Sequence, residues 1–315
     1  MNYRSVADLN VDIKQWIAKL PRDFEVVVGI PRSGLLAANL LALYLNLPLT
    51  DVEGLCEGRI MYSGLRSCVQ VDMRKERKVL IVDDSLFAGT EIAKTRERIN
   101  KALLPHKIFY GVVYITPEGK GKVDFWNKIV NKPRVFEWNL MHHSVLPISC
   151  VDIDGVLCRD PSEQENDDGE QYKQFLSDVP PLFVPTKVIG WLVTCRLEKY
   201  RDLTIEWLKK HKIQYKNLIM MNFPDRATRI ASGSHAAFKT KVYEESGAWL
   251  FIESSKVQAQ EIAKYSGKAV FCVETGRMYR PSFFYYAINN PAKVFIKLKS
   301  FIRRILKKIC LGLAS

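Results

Sequence analysis

The sequence predicts an α/β protein: two consecutive parallel-sheet domains followed by a C-terminal amphipathic helix. Three observations predict it. Apolar β-branched runs of strand length alternate with segments of helical spacing, the pattern of βαβ units and hence of parallel sheet. The alternation gives way to a loop-rich stretch after residue 115 and restarts near Pro147 without a long linker, and 315 residues suit two domains. The last stretch, from Pro291, carries one apolar stripe on an otherwise basic segment.

Taken in order, residues 9–19 (LNVDIKQWIAK) have helical spacing, EVVVGI (25–30) is a β-branched strand run, and GLLAANLLALYLNL (34–47) reads as a buried helix. KVLIVDD (78–84) is a buried strand, a helix follows over 91–103, and KIFYGVVYI (107–115) is the next strand. Two short segments, VDFWNKIV and RVFEWNLMHH, lie in the loop-rich stretch. In the second half ISCVDIDGVL (148–157), VIGWLVTCR (188–196), NLIMM (217–221), AWLFIES (248–254) and KAVFCVET (268–275) read as strands separated by helices, one of them over 198–210. QENDDGEQ (164–171) reads as a solvated acidic loop. The expected domains are therefore 1–147, 148–285 and a helix over 286–315.

At 47% hydrophobic and 26% charged residues, with 17 Gly and 14 Pro, the chain is neither disordered nor collagen-like. No apolar run reaches the roughly 18–20 uncharged residues of a membrane span, and MNYRSVADLN lacks the apolar core of a signal peptide. A cytoplasmic protein is expected. Its seven cysteines form no CxxC pair, so they read as reduced, mostly buried thiols. Lys and Arg total 47 against 34 Asp and Glu, a net charge of +13 that calls for an anionic partner without naming it.

Two constellations carry chemistry. In the first, VLIVDDSLFAGT (79–90), Asp83 and Asp84 follow an apolar strand and a small-residue loop runs into a helix. A carboxylate pair there suits vicinal hydroxyls, while the amides of Ala88, Gly89, Thr90 and Glu91, with the Thr90 hydroxyl, suit a phosphate at a helix N-terminus. The same pair also reads as a metal site or a satisfied strand terminus. VVVGIPRSG (26–34) is a second strand entering a Gly-flanked turn with an Arg, suited to a pyrophosphate close to the backbone.

With these residues, 20–115 resembles the type I phosphoribosyltransferases. The resemblance implies binding of phosphoribosyl pyrophosphate with Mg2+: Asp83 and Asp84 on the ribose hydroxyls, Ala88, Gly89, Thr90 and Glu91 on the 5-phosphate, and Arg32, Ser33 and Gly34 near the pyrophosphate. GLCEGRIMYSGLRS (54–67) would be the mobile loop that closes over the reaction, bringing Arg59 and Arg66 to the leaving group. Purine salvage members often carry a base-contacting Asp three positions after the second acidic residue. Here that position is Phe87, which weakens a purine acceptor.

The second constellation is CVDIDGVL (150–157), a strand ending in two carboxylates one residue apart. Residues 148 to about 275 resemble the haloacid dehalogenase-like phosphatases. By that resemblance Asp152 is the nucleophile, Asp154 the general acid and base, Thr194 a phosphate-binding hydroxyl, and Lys239 the balancing cation with Lys241 as competing assignment. Arg196 would contact substrate, and Asp152, Asp154 and Glu253 would hold Mg2+. Ser254 replaces a second Asp found in many members. Only about forty residues separate the first two motifs, so any cap is expected to be small.

The tail, PAKVFIKLKSFIRRILKKICLGLAS (291–315), places Val294, Phe295, Leu298, Phe301, Ile302, Ile305, Leu306 and Ile309 on one stripe. Seven cations between 293 and 308, with no acidic residue after Glu274, make an anionic membrane surface the expected partner, against a helix packed on the protein body. Phosphoribosyl transfer followed by phosphomonoester hydrolysis leaves a ribofuranosyl group, as in bacterial bifunctional ribofuranosyltransferases. The expected acceptor is a glycan, lipid-linked at the inner face of the cytoplasmic membrane. Trp126, Trp138, His142 and His143 mark the expected acceptor region, with either His as base or as a structural cap. The competing readings are a nucleotide-metabolism fusion and a non-catalytic regulator that senses phosphoribosyl pyrophosphate; no nucleic-acid partner is expected.

Overall fold

A computed structural model describes residues 1–61 and 71–281. The chain divides into two compact units, Met1–Asn139 and a second beginning at Leu140, and both are α/β with largely parallel sheets.

The first unit runs β1 (Asn2–Arg4), α1 (Val6–Ile17), β2 (Val26–Gly29), α2 (Ser33–Leu45), β3 (Leu49–Asp51), α3 (Val52–Cys56), β4 (Lys78–Leu86), α4 (Thr90–Lys101), β5 (Lys107–Ile115), β6 (Phe125–Ile129) and β7 (Arg134–Phe136). Its main sheet has the order β3-β2-β4-β5-β6, all parallel. The continuous apolar runs of β2 and β4 follow from burial on both faces. Alternate residues serve opposite sides: Val27, Leu80 and Val82 pack with α1 and α2. Val26, Val28, Val79 and Ile81 pack with α3 and α4. Each such side chain contributes about 1.5–3 kcal/mol through burial.

Among the boundaries that differ from expectation, such as β8 (Ser149–Val151, against the expected 148–157), two have a visible local cause. Helix α1 starts at Val6 rather than residue 9, because Ser5 and Asp8 cap each other's backbone N–H in a reciprocal capping box. Strand β4 does not end at Asp83 and Asp84. It stays paired with β5 as far as Leu86, since the apolar run of β5 continues to Ile115 and keeps offering a ladder partner.

The second unit runs β8 (Ser149–Val151), α5 (Glu170–Asp178), β9 (Ile189–Leu197), α6 (Arg201–Lys210), β10 (Tyr215–Met221), α7 (Arg226–Ala231), α8 (His235–Glu245), β11 (Leu250–Glu253), α9 (Lys256–Ser266), β12 (Ala269–Cys272) and β13 (Arg277–Tyr279). The sheet order is β10-β9-β8-β11-β12-β13, antiparallel only at β13. The segment between β8 and β9 contains α5, which packs against α6. The acidic stretch expected as solvated loop instead builds the start of α5. The Asp167 carboxylate accepts from the N–H groups of Gly169 and Tyr172, and Asp168 accepts from Lys199 and Tyr200.

The expected membrane-surface helix over 291–315 lies outside the described residues, as do 62–70 of the expected mobile loop, Arg66 included. Among the described residues, no helix is long and apolar enough to cross a membrane.

Candidate functional site

In each sheet the strand order reverses once, and ligands of open α/β sheets bind in the crevice outside the strand carboxyl ends at that reversal. In the first unit β2 is the turning point, with β3 on one side and β4 on the other. The loop after β2 carries Arg32, Ser33 and Gly34, and the end of β4 carries the carboxylate pair and the small-residue loop. One reversal thus brings all nine first-constellation residues to one sheet edge, although they lie in two separate stretches of sequence.

A cavity of about 230 Å³ opens there, lined by Asp83, Ala88, Gly89, Thr90 and Glu91. Gly89 precedes α4 with φ of 84°, a left-handed conformation suited to glycine, which turns the chain so that the helix's first amides point outward. Thr90 and Glu91 occupy the first turn of α4, Glu91 paired with Lys94, while the Ala88 carbonyl accepts from Lys122. Arg32 is exposed at the start of α2. Gly34 has a steric reason: a Cβ there would lie 2.8 Å from the Val82 carbonyl oxygen and 2.9 Å from Asp83 Oδ1. Its absence lets the start of α2 sit directly on the carboxylate.

The two carboxylates are not equivalent. Successive strand residues face opposite ways. Asp83 lines the cavity, and burial together with the neighbouring Asp84 pushes its carboxyl up to about 8. Asp84 is 3% exposed and accepts from Ser33 Oγ at 2.9 Å and from Trp138 Nε1 at 2.8 Å. Trp138, expected in an acceptor region, is thus a partner of the carboxylate pair, fixed by stacking on Phe136. Trp126 lies in β6 beneath Lys120. Of the expected mobile loop, Gly54 to Cys56 belong to α3, and Arg59 pairs with Glu57.

In the second unit the reversal falls at β8, flanked by β9 and β11. Asp152 follows β8 and Glu253 ends β11. Lys239, on α8 and 2% exposed, joins them: its Nζ donates to Asp152 Oδ2 at 2.5 Å, to Glu253 Oε2 at 2.8 Å and to Gln258 Oε1 at 2.9 Å. Lys241, the competing assignment, is exposed. Burial alone would lower the Lys239 ammonium, but the two carboxylates outweigh it and hold it above its ordinary range. Burial pushes Asp152 up to about 7, with Lys239 opposing.

Arg196, expected on the substrate, is fully buried and committed to Asp154: Nη2 to Oδ1 is 2.6 Å and Nε to Oδ2 is 3.1 Å. Thr194 is buried and its Oγ1 accepts from the Arg196 N–H. Its neighbour Cys195 lines the cavity of about 200 Å³ that also contains Asp152, Asp154 and Lys239. The residues expected to hold magnesium do not fit it in this arrangement. Lys239 or Arg196 already engages each of Asp152, Asp154 and Glu253, and Glu253 Oε1 accepts from the amides of Ser254 and Ser255. Among the described residues no three His, Cys, Asp or Glu side chains are grouped to hold a metal ion. His143 Nδ1 accepts from the Val145 N–H and His142 Nδ1 lies 3.1 Å from Thr186 Oγ1, both structural pairings.

Sequence reasoning missed the Trp138 bond to Asp84, the Gln258 bond to Lys239, and Arg229, which lines the second cavity from α7. RATRIA carries no motif, so nothing in the sequence singled Arg229 out.

No protein-family model matches the chain, and no curated protein matches it. Solved structures give similarities. One is a purine phosphoribosyltransferase from Pyrococcus horikoshii, 23% identical, covering 44% of this chain and 92% of that one, TM-score 0.33. A second is a xanthine-guanine-hypoxanthine phosphoribosyltransferase of Helicobacter pylori, 13% identical, covering 44% and 92%, TM-score 0.34. A third is a UMP synthase of Leishmania donovani, 16% identical, covering 43% and 28%, TM-score 0.29. At these identities and scores the functional reading rests on the site residues themselves.

Proposed function

We propose that the chain is a bifunctional ribofuranosyltransferase. Its first unit transfers 5-phosphoribose from phosphoribosyl pyrophosphate to an acceptor hydroxyl; its second removes the 5-phosphate. In the first step the acceptor oxygen bonds to C1, the bond to pyrophosphate breaks, and the hydroxyl proton leaves to a base. In the second, Asp152 takes up the phosphoryl group as the bond to the sugar oxygen breaks, and Asp154, oriented by Arg196, protonates the leaving alcohol. Asp154 then takes a proton from the water that attacks phosphorus and releases phosphate from Asp152. The observation that carries the reading is the cavity at the start of α4, lined by Asp83, Ala88, Gly89, Thr90 and Glu91, with Gly34 packed against Asp83.

The acceptor we favour is a lipid-linked glycan, supported by the basic apolar-striped tail, with the protein peripheral on the inner face of the cytoplasmic membrane. Phe87, which is 54% exposed at the cavity, supports a non-purine acceptor. Magnesium belongs to the resemblance, and no step here is routed through it. The test is incubation of the full chain with phosphoribosyl pyrophosphate, magnesium and a panel of lipid-linked oligosaccharides and nucleobases, with products followed by mass. Ribosylated glycan is expected, and Asp152→Ala should accumulate the phosphoribosylated form. Ribosylation of nucleobases alone overturns the glycan reading.

A further inference from the structure

The cavity of the second unit holds a cation that no carboxylate among the described residues neutralises. Lys239 is shared by Asp152 and Glu253, and Arg196 is held by Asp154. Arg229 lines the same cavity, is 9% exposed, and forms no ion pair among the described residues. Its Nη1 donates to the Cys195 carbonyl at 2.8 Å, which tethers the guanidinium to the end of β9 beside Thr194. Its Nε is buried without an acceptor. His235, at the start of α8 and also lining the cavity, has its Nε2 buried without a partner.

A buried charge left without a counter-ion is costly, so such groups are paired in the state that functions. The other cations here are already balanced by carboxylates. A phosphoryl group brought up to Asp152 adds negative charge to a site that has no other unpaired cation lining it among the described residues. A planar guanidinium suits phosphate oxygens by its fork geometry.

We propose that Arg229, with His235 beside it, binds the phosphoryl oxygens of a phosphomonoester substrate in this cavity. The proposal rests on the phosphatase reading of the second unit and adds a charged substrate-binding residue to it.

Calorimetric titration of the full chain with inorganic phosphate tests it. Wild type and Lys209→Gln, altered at an exposed α6 position, should bind phosphate alike, and Arg229→Gln should bind at least tenfold more weakly. Arg229→Lys, which keeps the charge without the fork, should fall between them and serves as the test if the Gln variant does not fold. In phosphomonoester turnover the Arg229→Lys loss should appear mainly in KM rather than kcat. Equal phosphate affinity in wild type and the Arg229 variants, or no binding by wild type, overturns the proposal. Arg229-dependent phosphate binding in a protein that hydrolyses no phosphomonoester sustains the anion site and overturns the phosphatase reading instead.

Discussion

The two crevices share a topology and differ in how they treat buried charge. In the first unit Asp83 and Asp84 sit side by side; Asp84 accepts from the neutral Ser33 and Trp138 with the Arg134 guanidinium close enough to act on it, and burial together with the Asp84 charge pushes Asp83 up to about 8. In the second unit the carboxylates are matched by buried cations, Lys239 between Asp152 and Glu253 and Arg196 against Asp154. In the proposed transfer reaction the first site receives the ribose hydroxyls. The second pairs Asp152, Glu253 and Asp154 each with a cation and, among the described residues, leaves Arg229 without an ion pair. Topology places a site; the local charge balance decides which ligand it accepts.

The comparison can be broken most severely at Asp152, the proposed nucleophile. Asp152→Ala should reduce phosphate release from a phosphomonoester by roughly 10³-fold or more while transfer from phosphoribosyl pyrophosphate continues; phosphate release and product mass measure the two separately. Next in size, Lys239→Ala strands two buried carboxylates and should destabilise the second unit by about 3–5 kcal/mol in urea unfolding, whereas Lys241→Ala should not.

The charge on Asp83 makes a test of sign. Its folded value of about 8 lies above the ordinary 3.8, so the folded state binds the proton more tightly and stability falls as pH rises between those values. Asp83→Asn should flatten that fall and raise the thermal unfolding midpoint at about pH 8 relative to wild type while losing transfer. An unchanged pH profile would contradict the charge imbalance assigned to the first site. Gly34→Ala forces a Cβ against Val82 and Asp83 and should cost about 1–3 kcal/mol of stability together with transfer activity. The smallest effect is Trp138→Phe, which removes one hydrogen bond to Asp84 and should cost about 1 kcal/mol while leaving phosphatase activity intact.

Much of the fold was legible because its strands are buried on both faces. KIFYGVVYI matches β5 at both ends, and EVVVGI and VIGWLVTCR fall on β2 and β9 within a residue or so. Errors gathered where a neighbour decides the outcome: β4 outruns the carboxylate pair because β5 continues beside it, and α5 begins in a stretch whose composition reads as loop because Asp167 caps it. The site was legible where residues sit together in sequence, as in DxD or the 83–91 run. It was not legible where a partner arrives from far along the chain. Trp138 and Arg229 have no local signature, and Arg196 reads as substrate-facing until its burial against Asp154 is seen.

The sequence by itself determined the alternation of strands and helices, the two carboxylate motifs and the concentration of positive charge at the tail, because these depend on local periodicity and composition. Only the tertiary structure decided that Lys239 rather than Lys241 meets Asp152, that Arg196 is occupied, and that Arg229 has no counter-ion among the described residues. Charge pairing depends on distance in space, and residues 152 and 239 become neighbours only when α8 packs beside the strand reversal of the second sheet.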